Sequence, residues 1–251
     1  MHPINSAPGR PVTSPPALVG AERRLPLGVL IGVGLWRALI VVFALVGFTS
    51  VPNGGGFGGG HGVSNFAYLT QQGSFLTAVV YAGLLSYPLF TRGHRHEPRT
   101  PWLRGALTVV MALISVTYMT MLGGSLSDTA DQFEHLLTPI VVVLDWIVVG
   151  RAPSAARWWF PLTWLAFPLA YLAFYVSYVG DGTPLYPFLR PGHGNFQLVV
   201  FGFLVGVLGL GYLMYGIGKL KGALVAGAVE NGAETGATGS SAAGGTVVRS
   251  G

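Results

Sequence analysis

An alcohol becomes a nucleophile when a base stands ready to take its proton, and a threonine beside a histidine is the smallest set that can do this. The chain offers both. Thr70 lies in Asn65-Phe66-Ala67-Tyr68-Leu69-Thr70-Gln71-Gln72-Gly73-Ser74, and His135 in Phe133-Glu134-His135-Leu136-Leu137-Thr138-Pro139. Thr70, Ser74 and Thr77 recur at i, i+4 and i+7, so one helical face would carry all three. That face also has a plain structural use, each hydroxyl bonding a carbonyl three or four residues back or a neighbouring helix. A lone histidine near a membrane surface has a similar structural reading. Gln71, Gln72, Ser74 and Tyr186 are polar groups able to donate to an oxyanion, and Glu134 or Asp131 is placed in sequence to orient the imidazole.

Composition then states what must hold these groups. Only 9% of the 251 residues are charged and 51% are hydrophobic, with a mean hydropathy of +0.57, whereas an average soluble chain is roughly 25% charged. A polytopic membrane protein is the class that fits, and most soluble enzymes are excluded. The 14 basic residues form no stripe, which argues against nucleic acid as a partner. The absence of cysteine excludes disulfides and thiolate metal ligands. The histidines show no metalloprotease-type spacing and no metal or other cofactor is expected. The glycine run at 54–62 follows no strand and precedes no Gly-Lys-Ser/Thr, so it reads as a flexible outer loop and not a phosphate cradle.

Apolar segments at 27–48, 66–90, 103–122, 134–149, 159–179 and 196–217 predict an all-α bundle of six transmembrane helices, the segment at 134–149 being the shortest. The transmembrane domain is expected over 26–218, flanked by disordered tails at 1–25 and 219–251 that are rich in Gly, Ala, Ser, Thr or Pro. With an even number of crossings, 12 basic residues fall on the side of the termini and only Arg190 on the other. The positive-inside rule then places both termini in the cytoplasm and the protein in the cell membrane. Arg37, in the middle of the first span, costs about 2.5–3.5 kcal/mol in lipid if it stands alone. Asp145, in the fourth span, is the expected partner in a structural ion pair. A proton relay or a contact with a charged substrate is the alternative use of the two, which would suit a small-solute transporter or channel. A third reading is a scaffold whose hydroxyls only bind helices together.

The chain also resembles a known family, the androgen-induced-gene and androgen-dependent tissue-factor-pathway-inhibitor-regulating proteins with their six-helix actinobacterial relatives. The resemblance rests on Phe66-x-Tyr68-Leu69-Thr70-x-Gln72, on His135 with Pro139 and Asp145-Trp146, and on Leu185-Tyr186-Pro187-Phe188-Leu189. It covers roughly residues 27–217. The proline stands four positions after the histidine here, against five in the animal members. The resemblance implies an intramembrane threonine hydrolase acting on lipid esters, such as fatty-acid esters of hydroxy fatty acids. By this likeness Thr70 is the nucleophile and His135 its base.

Overall fold

Long apolar runs become helices because every peptide group then bonds within its own segment, which matters where no water is present to bond it. In the computed structural model, which describes residues 24–60, 63–180 and 182–242, eight helices result. They are α1 (Leu27–Ser50), α2 (Leu69–Phe90), α3 (Trp102–Met121), α4 (Thr129–Gln132), α5 (Thr138–Val148), α6 (Phe160–Trp164), α7 (Ala166–Val179) and α8 (Phe196–Ala242). Five stretches are long and apolar enough to cross a membrane: Leu27–Ser50, Leu69–Phe90, Trp102–Met121, Phe160–Val179 and Phe196–Val229. Leu35, Leu89, Leu198 and Phe201 stand largely exposed on their outer faces. So much exposed large apolar surface points to a membrane protein.

The segment expected to cross at 134–149 is not one regular α-helix. Pro139 has no N–H to give to the carbonyl of His135, four residues back. The chain runs through a wider π turn at Phe133–Leu137, in which Thr138 N–H bonds Phe133 O. The regular helix that follows, α5, has only 11 residues, about 16 Å at 1.5 Å per residue.

The buried side chains gather in three groups. Ile40, Tyr81, Leu107, Met111 and Val142 join α1, α2, α3 and α5. Val109, Trp146, Trp164, Val207 and Met214 join α3, α5, α6 and α8. Tyr171, Tyr175, Val179 and Leu189 tie α7 to the segment that leads into α8.

Two segments expected to be flexible carry regular elements over part of their length. Residues 54–60 of the glycine run form a turn at Gly55–Phe57 and the strand β1 (Gly59–Gly60), paired antiparallel with β2 (Val63–Ser64). The order comes from aromatic packing, since Phe57 lies 4.9 Å, 5.3 Å and 5.4 Å from the rings of Phe48, Phe66 and Phe75. Glycine is what lets the backbone come that close. A Cβ on Gly56 would stand 2.1 Å from the Phe48 ring, and one on Gly58 1.8 Å from Asn53 O. At the other end, α8 does not stop near residue 217 but continues to Ala242, so the segment from 219 begins as helix. Ala223, Leu224, Ala226 and Ala228 are strong helix formers. The tail expected to be disordered at the amino end lies almost wholly outside the described residues, as do residues 243–251.

Candidate active site

Thr70 is the second residue of α2, and the entry into this helix is held from three sides. Asn65 Nδ2 donates to Pro52 O and Gly55 O at 2.9 and 2.8 Å, Tyr68 N–H to Asn65 O at 3.2 Å, and Leu69 N–H to the Tyr186 hydroxyl at 3.0 Å. His135 is held by the π turn. Its carbonyl, deprived of a helical donor by Pro139, accepts the Ser115 hydroxyl of α3 at 2.6 Å. Its ring stacks on Tyr118 with centroids 3.5 Å apart and planes 10° off parallel.

These constraints bring Thr70 Oγ1 to 3.4 Å from His135 Nε2. The other ring nitrogen, Nδ1, lies 3.5 Å from Asp131 Oδ1 and makes no hydrogen bond among the described residues. Asp131 is itself placed by the cap of α4, where Asp128 Oδ1 accepts its N–H at 2.8 Å. A hydroxyl, an imidazole and a carboxylate thus follow one another at 3.4 and 3.5 Å, a set of groups that can pass a proton once the contacts tighten around a ligand. Ser115→Ala should cost about 1 kcal/mol, the usual net worth of one such hydrogen bond, and should be visible as a lowered unfolding midpoint. An unchanged midpoint would mean that this bond does not hold the turn.

The pair opens onto a cavity of about 90 Å³ lined by α2, α3, α7, α8 and the loop before α8. Leu113, Ile114, Leu172, Phe203, Leu204 and Val207 make most of its wall, and Thr70, His135 and Tyr186 are among its few polar groups. Tyr186 accepts from Leu69 N–H and lies 3.3 Å from the Tyr171 hydroxyl, which donates to Ala67 O at 3.0 Å. Burial pushes the Tyr186 phenol up to about 12, so at neutral pH it keeps its proton. With Tyr171's proton on Ala67 O, the Tyr186 hydroxyl can donate either to the Tyr171 oxygen or into the cavity.

The other oxyanion candidates point elsewhere. Gln72 Nε2 donates to Phe66 O at 3.0 Å. Ser74 is fully buried away from the cavity, on the side of Glu134. Gln71 Nε2 donates to both oxygens of Glu134 at 2.8 and 2.7 Å, which removes Gln71 and Glu134 alike from the histidine. Thr77 donates to Gly73 O at 2.7 Å, the plain structural use of such a face. The repeating hydroxyls therefore split between uses, and only Thr70 reaches the imidazole.

The expected Arg37–Asp145 ion pair is corrected by the structure. Asp145 is fully buried and accepts from Trp36 Nε1 at 3.1 Å, the Tyr81 hydroxyl at 2.9 Å and Arg104 Nε at 2.7 Å. Arg104 also bonds the carbonyls of Asp145 and Val149 and, at 2.7 Å, Glu97. Arg37 donates to Leu84 O and to His96 O. The carboxylate is saturated by α1, α2 and α3, and the Arg37 guanidinium is drawn to carbonyls at the end of α2 and the following loop. Arg104 and Glu97 were not legible as partners, because an arginine at a span boundary looks like every other topology-setting charge. Ser115 and Tyr118 carried no signal either, being ordinary members of an apolar helix. Comparison of the chain with known protein families, with curated proteins and with solved structures finds no match.

Proposed function

We propose that the chain is an integral membrane hydrolase of lipid esters, with Thr70 as nucleophile and His135 as its base. The observation that carries this reading is the 3.4 Å approach of Thr70 Oγ1 to His135 Nε2 at the wall of an apolar cavity. An apolar cavity with a few convergent polar groups suits a long hydrocarbon substrate with one reactive centre. The resemblance to the androgen-induced-gene family agrees with this assignment.

The chemistry follows from the geometry. A neutral His135 with its proton on Nδ1, facing Asp131, leaves Nε2 free to take the proton of Thr70 as Oγ1 attacks the ester carbonyl. The developing oxyanion would meet the Tyr186 hydroxyl and the N–H groups of Thr70 and Gln71 in the first turn of α2, which has no side-chain cap. Collapse of the tetrahedral species breaks the bond to the alkoxide, which receives the proton held on Nε2. Water, deprotonated by the same nitrogen, then attacks the acyl-threonine, the acyl C–Oγ1 bond breaks to release the fatty acid, and Nε2 returns its proton to Thr70 Oγ1. No cofactor enters these steps.

The topology proposed with it has six crossings in the cell membrane and both termini in the cytoplasm. The sixth crossing is α4, the π turn and α5 in succession, Thr129 to Val148, which extends about 30 Å. Asp145, occupied by three donors, gives a transport reading no free carboxylate to work with. A fluorophosphonate that labels activated hydroxyls should modify the detergent-solubilised protein, and peptide mass spectrometry should place the adduct on Thr70. An adduct on any other residue, or no adduct on folded protein, would overturn the reading.

A further inference from the structure

The end of the bundle opposite the threonine carries a second feature, in the packing of α8 on residues 151–155. Two glycines one helical turn apart allow a very close approach. A Cβ on Gly218 would stand 2.6 Å from Pro153 O, and one on Gly222 2.7 Å from Ser154 Cβ. Lys219 secures the contact by donating to Ser154 O at 2.9 Å, and it lies 5.4 Å above the Tyr215 ring.

Lys221, two residues further on, turns into the cleft that this packing leaves. Its Nζ is shielded and has no hydrogen-bond partner among the described residues. Arg151 lines the same cleft. Among the described residues the carboxylates within range are already engaged, Glu97 by Arg104 and by the N–H groups of Arg151 and Ala152 at 2.8 and 2.9 Å, and Asp145 by its own donors. A shielded ammonium with no counter-charge is a costly arrangement, and an anion is what relieves it. The remaining wall is apolar, made by Val225, Ala226 and Val229 of α8.

We propose that Arg151 and Lys221 hold the phosphate of an anionic phospholipid at this end of the bundle. Two cations match one phosphate, the arginine by its planar fork and the lysine as a point charge. The source is a lipid because the cations are continuous with an apolar strip, which fits a glycerol backbone and the start of its acyl chains and has no use for a free inorganic ion. The position agrees with the basic end of the protein, where anionic headgroups concentrate. The site is independent of the hydrolase reading, since neither Thr70 nor His135 takes part.

The test is thermal unfolding of the full chain in detergent micelles doped with phosphatidylglycerol, with phosphatidylcholine, or with inorganic phosphate alone at equal concentration. Phosphatidylglycerol should raise the midpoint and the other two should not. Lys221→Met and Arg151→Gln should each weaken the phosphatidylglycerol effect about tenfold in concentration, the worth of one charged hydrogen bond. Arg157→Gln, an exposed cation at the same end, should leave it unchanged. Lys221→Met should also hold or raise the lipid-free midpoint, because methionine keeps the apolar stem and removes the uncompensated charge. Arg151 is exposed, so its variant keeps the test valid even if Lys221→Met folds poorly. An equal response to inorganic phosphate would overturn the lipid source. An equal loss with Arg157→Gln, or no loss with either cleft variant, would overturn the site.

Discussion

Turnover of a long-chain lipid ester should fall to background in Thr70→Ala and by about 10²–10⁴-fold in His135→Ala, the range that a positioned general base supplies. The two losses differ in origin. Without Oγ1 no acyl-enzyme forms, whereas without the imidazole the alcohol remains but must attack undeprotonated. Because the two residues act as one unit, the double variant should be hardly slower than Thr70→Ala alone. Thr70→Ser should retain activity, since it keeps the hydroxyl and removes only a methyl group. Each variant should unfold near the parent's midpoint, because Thr70 is only half-buried and ends at a cavity. Undiminished turnover in folded Thr70→Ala would show that the 3.4 Å contact is a packing detail and would leave the bundle without an enzymatic reading.

The second large effect concerns stability alone. Arg104→Ala should cost about 3–5 kcal/mol, the penalty for leaving one member of a buried ion pair without its partner. Asp145 would keep the hydrogen bonds from Trp36 and Tyr81 but lose its cation in a site with no exposure to water. Pairing the change with Asp145→Asn should recover much of the loss, because the amide carries no charge to strand. Arg37→Met should cost less than Arg104→Ala, since Arg37 bonds only carbonyl oxygens in the structure. Thermal or denaturant unfolding in one detergent would rank the four proteins. If Arg37→Met proved the more damaging, the assignment of Arg104 as the carboxylate's partner would fail.

The helices and their order were legible because they rest on local properties. Apolar length, the scarcity of charge and the need for internal backbone bonding are written along the chain without reference to any neighbour. The approach of Thr70 and His135 was legible for a related reason. Both stand near the same ends of their segments, and depth in a bundle is a one-dimensional quantity that residue counting supplies. The ordered glycine run was misread because its stability comes from the rings of Phe48, Phe57, Phe66 and Phe75, which lie on three separate segments.

The amino-acid sequence by itself determined where the apolar helices lie along the chain and which end of its segment each polar group stands near. Tertiary structure alone decided which partner each polar group meets. Helix rotation sets that choice, and rotation follows from how neighbouring surfaces interlock. Asp145 took Arg104 because α3 turns that side chain inward, and Gln71 took Glu134 because the π turn directs residues 134 and 135 to different neighbours. A proline without an N–H, closed by a serine from the adjacent helix, aimed the imidazole at Thr70. Residue spacing along one strand of chain carries depth but no bearing, and bearing is what a site requires.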